Sequence, residues 1–191
     1  MTSLKCFALL ILLAFTSCSI VSCQSKRSAS QEADDQVQSL REEYRRNPPE
    51  RKGYVNNYEN LYTDKEEKTL DSLLALFTEK TTIEIAVFTI DTVMTERDSL
   101  DAFTLRVANT WGVGQTGKNK GVVIGISRGH KRMRIQNGYG IEKLISDAET
   151  KLIVDTAFLP FFRKDLYFEG TRNGLAVLMA TLEGRSQPVN S

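Results

Sequence analysis

The sequence predicts an α/β fold: a single domain built as a three-layer α/β/α sandwich around a small mixed sheet. Two runs rich in β-branched residues, 82–90 and 122–127, flank an amphipathic helical pattern that ends near Trp111. This order predicts two parallel strands joined by a right-handed crossover. A third run, 132–137, follows a tight turn at 128–130 and returns antiparallel, so we expect at least three strands covered by four helices.

The first helix of the domain is predicted from a capping motif at its N-terminus. Thr63 and Glu66 form a capping box, in which the Thr hydroxyl and the Glu carboxylate satisfy backbone donors of the first turn. The apolar face that follows at helical spacing comprises Leu70, Leu73, Leu74 and Phe77. The pattern predicts a helix that packs on the sheet just before the strand at 82–90.

The stretch GVGQTGKNKG at residues 112–121 matches G-x-x-x-x-G-K, the opening of a phosphate-binding P-loop. A P-loop needs a buried strand before the glycines and a helix after them. Here a helix precedes them and a strand follows, and Asn119 stands where a Mg²⁺-binding hydroxyl is required. We therefore interpret the glycines as loop residues and expect no nucleotide.

Two further helices are predicted after the hairpin. Ser146 and Glu149 form a second capping box, and the helix that they open is expected to kink or break at Pro160. The last helix is predicted over about residues 169–183, with Gly184 as its left-handed stop.

Residues 1–22 form the pattern of a signal peptide, because Lys5 is followed by an apolar run, 7–15, that is too short to span a membrane. Ile20-Val21-Ser22-Cys23 resembles the lipobox of bacterial lipoproteins, which implies cleavage before Cys23 and acylation of its thiol. A competing site that ends at Cys18 fits less well. The alternative is an ordinary secreted protein with a leftover thiol. With Gln24 rather than Asp after the cysteine, the resemblance favours an outer-membrane lipoprotein that faces the periplasm.

Residues 23–52 are expected to be the acylated cysteine and a flexible tether, because they contain few large apolar residues. A helix is predicted within the tether between Glu32 and Arg45, and Pro48-Pro49 marks the boundary. The folded domain is then predicted at 53–184, followed by a disordered tail at 185–191.

Composition excludes several classes of function. Removing the leader removes Lys5 and no acid, so 25 basic and 24 acidic residues become 24 of each, and a neutral chain gives no electrostatic case for binding nucleic acid. The three cysteines, Cys6, Cys18 and Cys23, all lie in or at the end of the leader. We therefore expect no catalytic thiol, no disulfide, no zinc site and no haem in the domain.

Four short motifs occur in a fixed order. They are Val55-Asn56-Asn57-Tyr58, the W-G-x-G-x-x-G-K loop from Trp111 to Lys118, G-Y-G-x-E from Gly138 to Glu142, and Ser146-Asp147-Ala148. Together they resemble the TPM domain, a family named for thylakoid and membrane proteins, over about residues 54–182. The resemblance implies an α/β/α sandwich, divalent-cation binding in loops at one end of the sheet, weak acid-phosphatase activity as in plant relatives, or scaffolding at membranes.

The resemblance also implies which residues hold the cation. The family usually has an acid at Asn57 and often at Asn119, and Asp147 matches its acid. We add Glu142, so the expected ligands of Ca²⁺ or Mg²⁺ are Asn57, Asn119, Asp147 and Glu142. Two amides in place of carboxylates weaken such a site. The hypothesis requires the loops that carry residues 57, 119 and 147 to meet at one rim of the domain.

An alternative function is a low-efficiency, metal-dependent acid phosphatase. Lys118 and Lys120 would hold the phosphate, while Glu142 or Asp147 would bind a cation or act as a base. Each residue also has a structural interpretation, since loop lysines are commonly solvated and an acid in a first helical turn is favoured by the helix dipole. The only histidine, His130, lies in the tight turn, where exposure alone explains it.

The function expected from the sequence is therefore that of a lipid-anchored periplasmic protein with a TPM-like domain. It would serve as an accessory or interaction domain of the cell envelope, bound to the membrane through acylated Cys23 and to an envelope protein that the sequence does not name. Weak divalent-cation binding is expected, and no catalytic residue is assigned.

Overall fold

The computed structural model describes residues 29–115 and 119–186. The chain divides into two units after Val37, and all contacts given below lie within the second, residues 38–191. The helices are α1 (Ala29–Arg46), α2 (Asp64–Thr81), α3 (Leu100–Trp111), α4 (Tyr139–Glu142), α5 (Asp147–Ile153), α6 (Leu159–Phe162) and α7 (Tyr167–Ser186). The strands are β1 (Val55–Asn57), β2 (Glu84–Thr89), β3 (Gly121–Ser127) and β4 (Arg132–Asn137). Within the described ranges, no helix combines the length and apolar character needed to cross a bilayer.

The sheet has the strand order β1-β2-β3-β4 and is mixed. Strands β1, β2 and β3 are parallel, and β4 runs antiparallel to β3. The predicted parallel pair and the hairpin are both confirmed. No sequence pattern predicts β1, which is only three residues long and contains two asparagines, a residue type that is uncommon in strands.

Two apolar layers enclose the sheet, as the predicted sandwich requires. On one face, side chains of β2 and β3 such as Ile85 and Ile124 pack with Leu74 of α2 and Leu178 of α7. On the other face, Phe88 and Val123 pack with Phe103 and Val107 of α3. Alternate residues of the buried strands therefore serve opposite layers, which is why these strands are apolar along their whole length rather than alternating with polar residues.

Both predicted capping boxes are present. The Glu66 N–H donates to the Thr63 hydroxyl at 3.4 Å, and the Ser146 N–H donates to the Glu149 carboxylate at 3.0 Å. The predicted break at Pro160 also occurs: α5 passes through a π-helical turn at 154–158, and Pro160 lies in the first turn of a new helix, α6. Pro is tolerated there because no intrahelical N–H is needed.

The prediction that the last helix ends at Gly184, in a left-handed backbone conformation, is wrong. Gly184 lies inside α7, which continues to Ser186, and its φ angle is not positive. The last turn is held by Arg185, which donates to the Leu144 carbonyl at 2.8 Å and to Glu149 at 2.6 Å. These tertiary contacts stabilise a helical turn that a local glycine signal would end.

The segment before β1 is helical where a helix was expected, in α1, but it also contacts the domain. Arg41 donates to the Thr92 carbonyl at 3.1 Å, Trp111 donates from Nε1 to the Pro49 carbonyl at 2.7 Å, and Arg51 pairs with Glu84 at 2.6 Å. Residues 41–52, which the sequence assigns to a flexible tether, are thus bonded to the domain at several points.

Candidate functional site

The parallel strands give the sheet two ends. The amino edge is the end where β2 and β3 begin, and because β4 is antiparallel to β3 it ends there too. The carboxyl edge is the end where β1, β2 and β3 finish. The residues that the sequence proposes as cation ligands are divided between these two edges, so each edge is described separately.

A cleft of about 540 Å³ opens at the amino edge between α3, the start of β3 and the end of β4. We call it the amide cleft because five of the side chains that line it are amides. They are Asn109, Gln115, Asn119, Gln136 and Asn137. Glu142 is the carboxylate among its lining residues, and the exposed ring of Tyr139 borders it.

Glycines build the backbone wall of this cleft. Gly112 and Gly114 have positive φ angles, of 60° and 75°. A Cβ on Gly114 would lie 2.1 Å from the Gly121 nitrogen, and a Cβ on Gly121 would lie 2.0 Å from the Val113 carbonyl oxygen. The glycine-rich loop therefore packs its backbone directly on the first residue of β3. This packing accounts for the glycines at positions 114 and 121, while Gly117 lies outside the described residues.

A partly buried carboxylate fastens the same loop to β2. Glu84 accepts the Gly114 N–H at 2.6 Å through one oxygen and pairs with Arg51 at 2.6 Å through the other. Glu84 lies directly opposite Gly121 in the sheet register. One side chain thus holds the loop, the strand and the segment before β1 together, a role that no sequence motif indicates.

Two of the expected cation ligands do meet at the amide cleft. Asn119 has a left-handed backbone with a φ angle of 59°, and its carbonyl accepts the Gly140 N–H at 3.0 Å. This bond brings the start of β3 against α4, which carries Glu142. Both side chains are exposed and line the cleft. An amide oxygen and a carboxylate are suitable ligands for a hard cation, although a strong calcium site needs more of them.

Asn137 occupies the last position of β4 and also lines the cleft. It is 8% exposed, and its Nδ2 donates to the Thr150 hydroxyl at 2.9 Å. That hydroxyl uses its own hydrogen on the Ser146 carbonyl at 3.0 Å, which fixes the orientation of the amide. Asn137 Oδ1 then has no hydrogen-bond partner among the described residues.

Asn57 lies at the other edge, so the expectation of one rim for residues 57, 119 and 147 is wrong. Asn57 pairs with Thr89, five residues along β2 from Glu84, which is about 17 Å at the usual rise of a strand. The reason is the register: the short β1 pairs only with the last half of β2. The Asn57 oxygen accepts the Leu61 N–H at 2.8 Å, so it already holds the loop that follows β1.

The other predicted residues are placed as follows. Asp147 is exposed in the first turn of α5, at the amino edge but not among the lining residues of the cleft. Lys120 does not line the cleft either, and its carbonyl accepts the Glu84 N–H at 3.0 Å. Lys118 and Cys23 lie outside the described residues. Among the described residues, no three His, Cys, Asp or Glu side chains form a group that could hold a metal ion.

His130 and Trp111 have structural contacts. The His130 ring nitrogen Nε2 lies 2.9 Å from the Thr95 carbonyl, so the imidazole joins the β3–β4 turn to the segment after β2. The Trp111 ring packs edge-on against Phe88 with centroids 5.4 Å apart. His130 is therefore half-buried and bonded rather than simply exposed in its turn, and Trp111 packs against the core.

Glu59, at the carboxyl edge, was not singled out from the sequence. Its carboxylate accepts the N–H groups of Arg128 and Gly129, both at 2.8 Å, and so holds the β3–β4 turn. Burial raises the pKa of Glu59 and the nearby Asp91 adds to this, while the two N–H donors oppose it. The only indication of this role in the sequence is an acidic residue two positions after Asn57, and this indication is weak.

Comparison with known proteins identifies relatives of this domain. A family model described as the TPM domain matches residues 55–181. The solution structure of the N-terminal domain of a protein from P. gingivalis is similar with a TM-score of 0.62 and 27% identity, over 69% of this chain and 82% of that one. The N-terminal domain of a Corynebacterium glutamicum protein shares the fold with a TM-score of 0.52 and 12% identity, over 75% of this chain and 88% of that one. No curated protein matches the sequence.

Proposed function

The chain belongs to the TPM domain family, and we propose that it serves as an accessory binding domain held in the bacterial cell envelope by a lipid anchor. The observation that carries the proposal is the amide cleft. Its five amides offer neutral donors and acceptors, and its single carboxylate adds one negative charge, on a backbone wall fixed by glycine packing. Such a surface is suited to recognition, because a wall held by backbone packing carries several polar groups that can orient a ligand.

The anchor is proposed from Cys23 and the lipobox before it. The contacts of residues 41–52 sharpen this part of the proposal. A free tether of residues 24–52 would reach at most about 100 Å from the acylated residue, at roughly 3.5 Å per residue. Bonding from Arg41 onward, together with the helical rise of α1 from Ala29, limits this reach to about 35 Å. The domain would therefore work close to the membrane, on the periplasmic side of the outer membrane.

Anchoring is tested by metabolic labelling with a palmitate analogue and by fractionation of the host envelope. We expect Cys23→Ser to lose the label and to leave the membrane fraction. Cys18→Ser is the matched control, since it removes a thiol from the competing site and should keep both. Labelling that survives Cys23→Ser, or that is lost in Cys18→Ser, contradicts the proposed anchor.

The proposed binding role is tested by chemical crosslinking in intact cells, followed by purification of the tagged protein from solubilised envelopes. We expect one envelope protein to be recovered reproducibly with the natural chain. Substitution in the amide cleft, as in Gln136→Ala with Asn109→Ala, should reduce its recovery. Lys65→Ala, at an exposed position on α2, provides the control. If recovery of the partner is unchanged both by the cleft substitutions and by loss of the anchor, the proposed role is contradicted.

Weak divalent-cation binding is part of the same proposal and involves Asn119 and Glu142. The phosphatase alternative has less support, because Lys120 and Asp147 do not line the cleft. It is tested with a chromogenic phosphate ester at acid pH, with Ca²⁺, Mg²⁺ or a chelator. Metal-dependent turnover that Asp147→Ala abolishes would favour the enzyme over the binding domain.

A further inference from the structure

A second cleft, at the carboxyl edge, has a different chemistry from the first. It lies between the β3–β4 turn and the turn that joins α6 to α7, and its volume is about 420 Å³. We call it the basic cleft. Its charged and aromatic lining residues are Lys131, Arg132, Arg163, Asp165, Phe162 and Tyr167. No sequence motif pointed to it, because its two turns are far apart along the chain.

The cleft carries an excess of positive charge. Arg132 is engaged elsewhere, since it donates to the Arg97 carbonyl at 3.0 Å and to Asp101 at 3.3 Å. Lys131 and Arg163 are exposed and form no ion pair with any described residue. Asp165 is the acid among the lining residues.

Two further cations lie beside the cleft. Arg128 precedes Lys131 in the same turn, and Lys164 follows Arg163, and both are exposed. Four cations in the two turns therefore face two carboxylates, that of Asp165 and that of Glu59, which accepts the Arg128 N–H. Positive charge remains in excess, and the cleft attracts anions.

Apolar groups stand beside these cations. The Phe162 and Tyr167 rings are stacked with centroids 4.9 Å apart and an angle of 29° between their planes. Leu166, between Asp165 and Tyr167, is 42% exposed, and Leu159 lines the cleft. A small inorganic anion would leave these apolar groups unused. An anion that carries an apolar chain would engage both the cations and the rings.

The tether that leads to Cys23 leaves the domain at this same edge. Arg51 bonds to Glu84 at the amino edge, whereas Arg41 bonds to the carbonyl of Thr92, three residues beyond the end of β2. Between Arg51 and Arg41 the chain thus crosses from the amino edge of the sheet to the carboxyl edge. The residues that precede Arg41 therefore join the domain at the carboxyl edge. If Cys23 is acylated, as proposed above, the basic cleft is held at the end of the domain from which the anchor departs.

We propose that the basic cleft binds the phosphate-bearing headgroup of an anionic phospholipid, with Lys131 and Arg163 on the phosphate and Leu166 against the apolar part of the lipid. Basic residues near a bilayer attract anionic lipid electrostatically, and a single acyl chain anchors only marginally. The cleft would therefore add a second membrane contact to the anchor and turn the amide cleft, at the opposite edge, away from the bilayer.

The test uses the mature chain with Cys23→Ser, so that no acyl chain contributes, and measures its sedimentation with vesicles. The vesicles contain phosphatidylcholine alone or phosphatidylcholine with phosphatidylglycerol. We expect phosphatidylglycerol to raise the fraction of protein that sediments with the vesicles at least tenfold. Added salt should reverse this increase. Lys131→Glu with Arg163→Glu should lower binding at least tenfold, since each cation near the surface contributes about fivefold. Lys65→Glu with Lys68→Glu, an exposed pair on α2, makes the same change in net charge and should have a much smaller effect.

Two further measurements separate the lipid from a free anion. Leu166→Ser should weaken vesicle binding while leaving the NMR shifts that inorganic phosphate causes at Lys131 unchanged. Phosphate shifts without vesicle binding would overturn the proposal, as would equal losses in the two charge-reversed variants. Because acylation is absent from this test, its failure is distinguishable from failure of the Cys23 anchor, which is judged by labelling in cells.

Discussion

The two edges of the sheet hold their loops by different means. At the amino edge, backbone packs directly on backbone, with Gly114 and Gly121 in contact and no space for a side chain between them. At the carboxyl edge, polar side chains hold the loops, with Asn57 accepting from the chain after β1 and Glu59 accepting from the β3–β4 turn. The first arrangement depends mainly on an absence of side chains, with Glu84 as an added acceptor for the Gly114 N–H, and the second on the oxygen atoms of two particular side chains.

This difference explains what each edge offers to a ligand. Apart from Glu84, the glycine wall needs no side chain to hold it, so several amides of the amino edge face the cleft. At the carboxyl edge Asn57 and Glu59 already have protein donors, and a cation there would have to displace them. The unpaired cations of the carboxyl edge lie instead in the turns around the basic cleft.

The largest effect is expected from a methyl group between the two backbones. Gly114→Ala places a Cβ 2.1 Å from the Gly121 nitrogen at a φ angle of 75°, and should lower the free energy of unfolding by about 3 kcal/mol or more. Urea denaturation followed by circular dichroism measures the change.

Gly184→Ala is the control, because no atom lies within 4 Å of the added Cβ and the residue is helical. It should raise the free energy of unfolding by up to about 1 kcal/mol. Equal effects of the two substitutions would contradict close backbone packing at the amino edge.

A smaller loss is expected at the carboxyl edge. Asn57→Ala removes the acceptor of the Leu61 and Tyr62 N–H groups and the donor to the Tyr62 carbonyl, and should cost about 1–3 kcal/mol. Asn57→Asp keeps the acceptor of the two N–H groups but sets a carboxylate oxygen against the Tyr62 carbonyl, so it should also lower the stability. If Asn57→Ala leaves the stability unchanged, these bonds do not hold the loop.

The fold was largely predictable because its signals are local. Capping boxes, the break at Pro160 and the β-branched runs each depend on residues close together in the chain, and the structure confirms them. The site was predictable only in part. Asn119 and Glu142 meet because the glycine motifs flank them, but the position of Asn57 depends on the register of a three-residue strand that no local pattern marks. The roles of Glu59 and Glu84 depend on contacts across the fold, which spacing in the sequence does not reveal.

The pH dependence of stability should have opposite signs at the two edges. Burial raises the pKa of Glu59. The contribution of this carboxyl group to folding stability is therefore present at low pH and is lost as the pH rises through the raised pKa. Arg185 and then Ser146 lower the pKa of Glu149, near the amino edge, to about 2. The contribution of Glu149 is therefore present above its ordinary pKa and is lost as the pH falls toward about 2.

Urea midpoints of the natural chain, Glu59→Gln and Glu149→Gln measured across this range test both signs. The deficit of Glu149→Gln should shrink on acidification below its ordinary pKa. For Glu59→Gln, any deficit should shrink as the pH rises from acid toward neutral. Parallel pH profiles for the two variants would show that the carboxyl groups do not differ in the way that their surroundings require.

The smallest effect concerns the cation, and it distinguishes the edges most directly. Titration of the mature chain with Ca²⁺ should shift the amide NMR signals of Asn119 and Glu142 together, with weak affinity, because one carboxylate and one amide oxygen supply little charge. Glu142→Gln should weaken these shifts severalfold, whereas Asp147→Asn, at the same edge but outside the cleft, should leave them nearly unchanged. Shifts centred on Asn57 and Glu59 would instead place the cation at the carboxyl edge. In that case, binding would have to release the donors of the β3–β4 turn, and the unfolding midpoint of Glu59→Gln would no longer respond to Ca²⁺.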